Sequence, residues 1–300
     1  MPPWNLNDAS IEQADIYPSY AVTVELLEQM GIESDFEADV PLRFIHRSDG
    51  DAEFYFIANG EAELQSTTCS FRVAGCQPEW WDALTGERRD LPEFSQSRGR
   101  TEIPVRLEPF ESGFVVFRKP ATRPTSARGA NFPRFEPVKT LAAPWEVAFD
   151  PKWGGPDRIV FPKLEDWSRR PEPGIRYYSG RATYKTVFDC KALDPNMRYF
   201  LSLGRVANIA SIKINDHDLG VVWCMPWRIA IPTGLLEPLG NVLEIVVANL
   251  WINRLIGDSG LPQEQRLTWT TGNPFDPGDP LLESGLLGPV TLQACPLSQA

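Results

Sequence analysis

The chain is predicted to be all-β, with two antiparallel β-sandwiches and one short N-terminal helix. Two observations carry this. Short runs in which apolar and polar residues alternate recur along its length, the pattern of sheets with one buried face. Between them stand 28 prolines and 22 glycines, which break long helices and punctuate many short elements. With 16 Phe, 10 Trp and 7 Tyr among 300 residues, the chain can fill two cores, and its length fits roughly 150 residues per domain.

Residues 1–39 read as a lead-in and a helix. From Tyr20 to Met30, the apolar Val24, Leu27 and Met30 fall on one helical face. Pro18 stands near the first turn and Gly31 at the C-terminal cap. A small sandwich is expected over 40–119. In its first hairpin Leu42, Phe44 and His46 alternate with Arg43, Ile45 and Arg47. Residues 48–51 turn and 54–58 return. Further strands are expected at 68–73, 101–107 and 114–118. Trp80 and Trp81 are adjacent, so in an extended strand one faces the core and the other faces out. Residues 120–134 have no apolar period and carry prolines and glycine, and they read as the linker.

The second domain spans 135–300, with strands at 145–149, 181–188, 198–203, 210–214, 242–248 and 290–292. Ile212 and Ile214, and Leu243, Ile245 and Val247, alternate cleanly with polar neighbours. A jelly roll of the galactose-binding type is the expected architecture.

Charge and composition exclude several classes. With 29 basic and 40 acidic residues the net charge is −11, spread without an acidic tail. A nucleic-acid partner is not expected, because phosphate binding draws on clustered Lys and Arg. No run of about 18 apolar residues exists, so no membrane span is expected. Met1 to Asp8 have neither a basic start nor an apolar core, so no signal peptide is expected in this chain. The five cysteines (Cys69, Cys76, Cys190, Cys224, Cys295) are scattered without a C-x-x-C pair, which points to buried free thiols. Cys69 and Cys76 read as residues of one strand.

Candidate chemistry is sparse. Glycoside hydrolysis needs two carboxylates facing each other across a sugar. Glu79, Asp82, Asp258 and Glu264 lie near aromatic residues, yet none sits in a recognisable catalytic pattern. His46 shares a strand face with Leu42 and Phe44, which suits a hydrogen-bonded, partly buried imidazole. His217 sits in a turn. No cofactor is expected. Closely spaced oxygens at Asp49, Asp51 and Glu53, and at Asp216 and Asp218, leave a structural calcium open, although Asp favours turns for backbone reasons. Sugar binding has more support, because indole rings stack on sugar C–H faces. Trp223 and Trp227 flank residues 224–226. Trp251 precedes Asn253, Arg254 and Asp258, which read as a hydrogen-bonding set with the Arg fork held by the carboxylate. Trp269 lies in the long loop 259–280. The competing reading is that these tryptophans plug the sandwich or pack on a neighbouring domain.

Several segments together resemble glycoside hydrolase family 106, the α-L-rhamnosidase-like enzymes. They include 43–47 (RFIHR), 54–59 (FYFIAN), 81–86 (WDALTG), 149–155 (FDPKWGG), 177–180 (YYSG), 253–258 (NRLIGD) and 284–290 (SGLLGPV). The resemblance implies release of terminal α-L-rhamnose from plant polysaccharides or glycosides, with catalytic carboxylates on an upstream barrel that these residues do not hold. No catalytic residue is therefore assigned. Relatives are often exported, so localisation stays open. The expected function is a carbohydrate-binding accessory module whose partners are a plant glycan or oligosaccharide and a catalytic barrel domain. The alternatives are a domain pair bracing such a barrel, and an unorthodox hydrolase with carboxylates in the sandwich cleft.

Overall fold

The computed structural model describes residues 20–121, 130–142, 144–191 and 193–297. The middle of the expected linker, 122–129, and Pro18 lie outside the described residues. The chain divides into two compact units, 1–131 and 132–300.

In the first unit, helix α1 (Tyr20–Gln29) ends where the spacing predicts. Gly31 adopts φ 72°, and its amide and that of Ile32 reach back to the Glu28 and Leu27 carbonyls, both at 2.9 Å. This is the Schellman pairing that favours glycine. The expected inner face is not buried, however: Val24 is half-buried, and Leu27 and Met30 are exposed.

Nine strands follow: β1 (Phe36–Glu37), β2 (Leu42–Asp49), β3 (Ala52–Asn59), β4 (Gln65–Phe71), β5 (Cys76–Trp81), β6 (Arg88–Asp90), β7 (Ser95–Ser97), β8 (Arg100–Leu107) and β9 (Ser112–Pro120). They form a four-stranded sheet, β1-β4-β8-β7, and a five-stranded sheet, β2-β3-β9-β5-β6, with antiparallel pairing throughout. Aromatic edges close the space between the sheets. Phe71 of β4 meets Tyr55 of β3 at 5.0 Å and Phe117 of β9 at 5.5 Å. Such edge contacts are the favoured aromatic geometry. Trp80 is core and Trp81 faces out, as alternation requires. Cys69 and Cys76 lie on separate strands, β4 and β5, rather than on one, and all five cysteines are free thiols.

The second unit contains β10 (Glu136–Thr140), β11 (Trp145–Phe149), β12 (Ile159–Phe161), β13 (Arg181–Phe188), β14 (Met197–Ser202), β15 (Val206–Ala207), β16 (Ile209–Ile214), β17 (His217–Val222), β18 (Arg228–Ile231), β19 (Asn241–Ala248), β20 (Gly285–Leu286) and β21 (Thr291–Pro296), with helices α2 (Pro173–Arg176) and α3 (Ile252–Ser259). A six-stranded sheet, β12-β11-β13-β19-β16-β17, and a four-stranded sheet, β10-β21-β14-β18, supply the core, and β15 pairs with β20. One cross-strand row of the larger sheet, Val147-Tyr184-Ile245-Ile212, is fully buried. The next row alternates in charge: Glu146-Lys185-Glu244-Lys213-Asp218. Opposite charges facing each other across strands suit a solvated face.

Helix α3 was not foreseen. It buries Leu255 and Ile256, but also Asn253, Arg254 and Asp258, so its inner face reads as polar in sequence. Nearby, Trp167 is fully buried and donates to the Tyr184 hydroxyl at 2.5 Å. Gly285 presses against this indole. A Cβ there would lie 2.4 Å from Trp167 Nε1, and its φ of 102° also disfavours a side chain.

Candidate functional site

The register of the six-stranded sheet brings three chain segments to one end of the second unit. Ala210 pairs with Val222 and with Val247, and Ile209 with Ala248. Trp223 therefore leaves β17, and Leu250 and Trp251 leave β19, on either side of the start of β16. The neighbouring sheet ends at the same place, where the Leu203 amide donates to the Trp227 carbonyl at 2.8 Å. From Leu203 the chain crosses to β16 through β15, which is held by β20.

A cleft of about 270 Å³ opens at this end, lined by 205–208, Leu250, Ile252–Asn253 and 282–284. Its walls are set by a satisfied polar network. Asn253 donates to the Leu282 carbonyl at 2.7 Å and to Ser284 Oγ at 3.1 Å, and accepts from the Leu282 amide at 2.8 Å. Asn249 reaches Ser284 Oγ at 3.2 Å and the Tyr178 carbonyl at 2.8 Å. Asp166 accepts from the buried Ser284 amide at 2.9 Å. At the mouth, Arg205 is ion-paired with Glu283, both partly exposed. Asn208 is exposed, and its backbone amide donates to the Ala248 carbonyl. The cleft thus combines an Arg–Glu pair, an Asn and apolar walls, the mixture that suits a small polyhydroxylated ligand.

The sequence-nominated residues separate into two groups. Trp223 and Trp251 are 61% and 70% exposed at this end of the unit. Trp227 is half-buried against the core, and its indole N–H is buried without a partner among the described residues. Arg254 and Asp258 are 6% and 2% exposed, so they offer no fork to solvent. They sit one turn apart on α3, with Nη1 and Oδ1 3.6 Å apart. Arg254 donates to the Trp153 carbonyl at 3.2 Å. Asp258 Oδ2 accepts from the Leu267 and Thr268 amides and the Thr268 hydroxyl at 3.1, 2.9 and 2.6 Å. The pair therefore ties two loops to the helix. Burial pulls the Arg254 guanidinium below its ordinary value, opposed by the Asp258 charge. Arg205, Asn208 and Glu283 were not singled out. Their signal is spread over segments that lie 78 residues apart, from Arg205 to Glu283, and come together beside the β15–β20 pairing.

The carboxylates near aromatics have structural partners or are exposed. Glu79 is buried and receives Arg118, Lys119 and Trp81. Burial would raise its pKa, but these donors outweigh it and hold the carboxyl below its ordinary value. Asp82 caps a turn through the Leu84 amide at 2.7 Å, and Glu264 is exposed. His46 lies between Asp35 and Glu53, at 3.2 and 2.7 Å. His217 is exposed beside the two-residue turn Asn215-Asp216, both at positive φ. Among the described residues no group of three or more His, Cys, Asp or Glu side chains could hold a metal ion. Of the calcium candidates, Glu53 accepts from Ser48 and Asp218 from the Gly220 amide.

The chain is an all-β protein of two units built from antiparallel sheets, with a cleft at the loop end of the second. Residues 9–96 match the family model of glycoside hydrolase family 106, described as alpha-L-rhamnosidase. The solved rhamnosidase from Novosphingobium sp. PP1Y aligns over 91% of the chain at a TM-score of 0.79 and 36% identity. The chain covers only 26% of that protein. A Formosa agariphila protein named "Putative beta-glucuronidase" is 34% identical over 177 residues, which is 51% of this chain and 15% of that protein. A Ruminococcus gnavus β-glucuronidase structure aligns at a TM-score of only 0.41 and 18% identity, over 58% of this chain and 30% of that one. The chain is thus similar to family-106 rhamnosidases and spans about a quarter of the length of the solved one.

Proposed function

We propose that the chain is a carbohydrate-binding accessory module of a rhamnosidase-like glycoside hydrolase, with the second unit a galactose-binding-like jelly roll that holds plant oligosaccharide at its loop-end cleft. The observation that carries this reading is the cleft, which is of monosaccharide scale and has the exposed Trp223 and Trp251 beside the strand ends that form it. The match to a rhamnosidase over 91% of the chain, at 36% identity, supports the link to that class of enzyme. Arg205, Asn208 and Glu283 supply hydroxyl partners, and the indoles supply stacking faces.

The test is titration of the purified chain with rhamnose-terminated oligosaccharides by calorimetry, beside an assay on a chromogenic α-L-rhamnoside. Saturable binding between millimolar and micromolar, about −4 to −8 kcal/mol, is expected without turnover. A second reading, docking on a catalytic barrel, is favoured by the same exposed tryptophans and by Trp269, whose indole is also open. It predicts no sugar binding by the chain alone.

A further inference from the structure

The outward face of the five-stranded sheet in the first unit differs from a solvated sheet face. Cross-strand partners lie on the same side of a sheet, so register assigns its rows. One row runs Ile45-Phe56-Phe114-Trp81-Arg88 from β2 to β6. The row beside it runs Arg47-Phe54-Val116-Glu79-Asp90, with Val116 and Glu79 buried at its middle, so the open part of the face lies along the first row. The corresponding face of the six-stranded sheet carries the alternating charged ladder, whereas here aromatic rings pack on one another. Phe56 and Phe114 are 5.1 Å apart, and Phe54 meets Trp81 at 5.8 Å. Ile45 is 53% exposed.

Arginines fringe this apolar strip. Arg88 lies over the Trp81 ring at 4.2 Å, and Arg118 approaches it at 5.3 Å. Arg118 and Lys119 are committed to Glu79. Arg43, Arg47 and Arg88 are exposed, and among the described residues none of them pairs with a carboxylate. Three guanidinium groups without a carboxylate partner among the described residues, set around an aromatic strip, stand out on a chain of net charge −11.

We propose that this face is a second binding site, taking an oligosaccharide that bears carboxylate groups. Uronate carboxylates meet Arg43, Arg47 and Arg88, for which the planar guanidinium fork is matched, and the sugar C–H faces cover the strip centred on Ile45 and Phe56. Charge complementarity selects an anionic ligand, and the apolar strip selects one with a hydrocarbon face. The site is separate from the cleft of the second unit, but it rests on the reading of the chain as a carbohydrate binder.

The test uses the whole chain with tetragalacturonate, its methyl ester and poly-L-glutamate as probes, read by calorimetry and by two-dimensional NMR. Tetragalacturonate should shift the resonances of Arg43, Arg47, Trp81 and Arg88, and its affinity should fall steeply with added salt. Arg47→Gln with Arg88→Gln should weaken it about tenfold while leaving rhamnoside binding at the cleft unchanged. Retained rhamnoside binding also reports that the double variant is folded. The proposal is overturned if the methyl ester binds equally well, if the double variant binds undiminished, or if no shift occurs at about 10 mM probe. Poly-L-glutamate binding as tightly would overturn it too, in favour of an acidic protein surface. If the unmodified chain binds no rhamnoside, the cleft reading fails, and this proposal then stands only if tetragalacturonate still shifts those resonances and a double variant of unchanged melting temperature binds it about tenfold more weakly.

Discussion

The imidazole of His46 lies flat on the ring of Tyr55, with centroids 4.0 Å apart and planes 6° from parallel. Both residues sit on the inner side of their sheet, directly opposite across β2 and β3. The ring is fixed at both nitrogens by Asp35 and Glu53, and Asp35 is held in turn by Arg72. Burial, with the Asp35 and Glu53 charges, pushes the Tyr55 hydroxyl up to about 12. This is a structural clamp at the edge of the first core, and its acid–base behaviour is testable.

Acid should weaken the first unit. Burial would raise Asp35, yet the Arg72 and His46 contacts hold it below its ordinary value of 3.8. Glu79 is likewise held below 4.5. A carboxylate depressed in the folded state adds stability that is present above its ordinary value and is lost as pH falls through the lower, folded one. Chemical denaturation followed from pH 6 downward should show stability declining below about pH 4.5. Asp35→Asn with Glu79→Gln should flatten that decline. Glu79→Gln alone should cost about 1–3 kcal/mol at neutral pH, because a buried charge-assisted set is broken.

The tryptophans near the cleft should divide on substitution. Trp223→Ala and Trp251→Ala should leave stability within about 0.5 kcal/mol, as for other exposed positions. Trp227→Ala, which removes an indole packed on the core, should cost about 3 kcal/mol or more. Thermal unfolding of the three variants checks this division. Equal losses in all three would make every one of these indoles core.

Breaking the Arg254–Asp258 pair should damage folding rather than ligand recognition. Arg254→Met should cost about 3 kcal/mol, since it leaves a buried carboxylate short of its countercharge. Fluorescence-monitored urea melts should register the loss, and sugar affinity of the folded fraction should be unchanged.

Gly285→Ala should destabilise the second unit by about 2 kcal/mol or more, from an unfavourable φ and a clash with Trp167. A Trp167→Phe background should relieve part of the clash, which a double-mutant cycle would detect as coupling.

Much of the fold was legible because alternation reports directly on sheet faces. The Trp80/Trp81 division, the partly buried His46 and the Gly31 cap all follow from local rules of period or φ. The cleft was not legible, since Arg205, Asn208 and Glu283 come together beside the two-residue strands β15 and β20, too short to leave a period. Helix α3 was hidden for the opposite reason. Its inner face buries Asn253, Arg254 and Asp258, whose partners lie in distant loops, so a rule that equates polar with exposed misplaces all three.

The most direct measurement of the central claim is a calorimetric titration of the intact chain and its Trp251→Ala variant with a rhamnose-terminated oligosaccharide. The same preparations should be assayed for release of rhamnose. The account predicts saturable binding by the intact chain, at least about tenfold weaker in the variant at unchanged melting temperature, and no release of sugar. Absence of saturable binding, or turnover abolished by replacing one carboxylate, would contradict it.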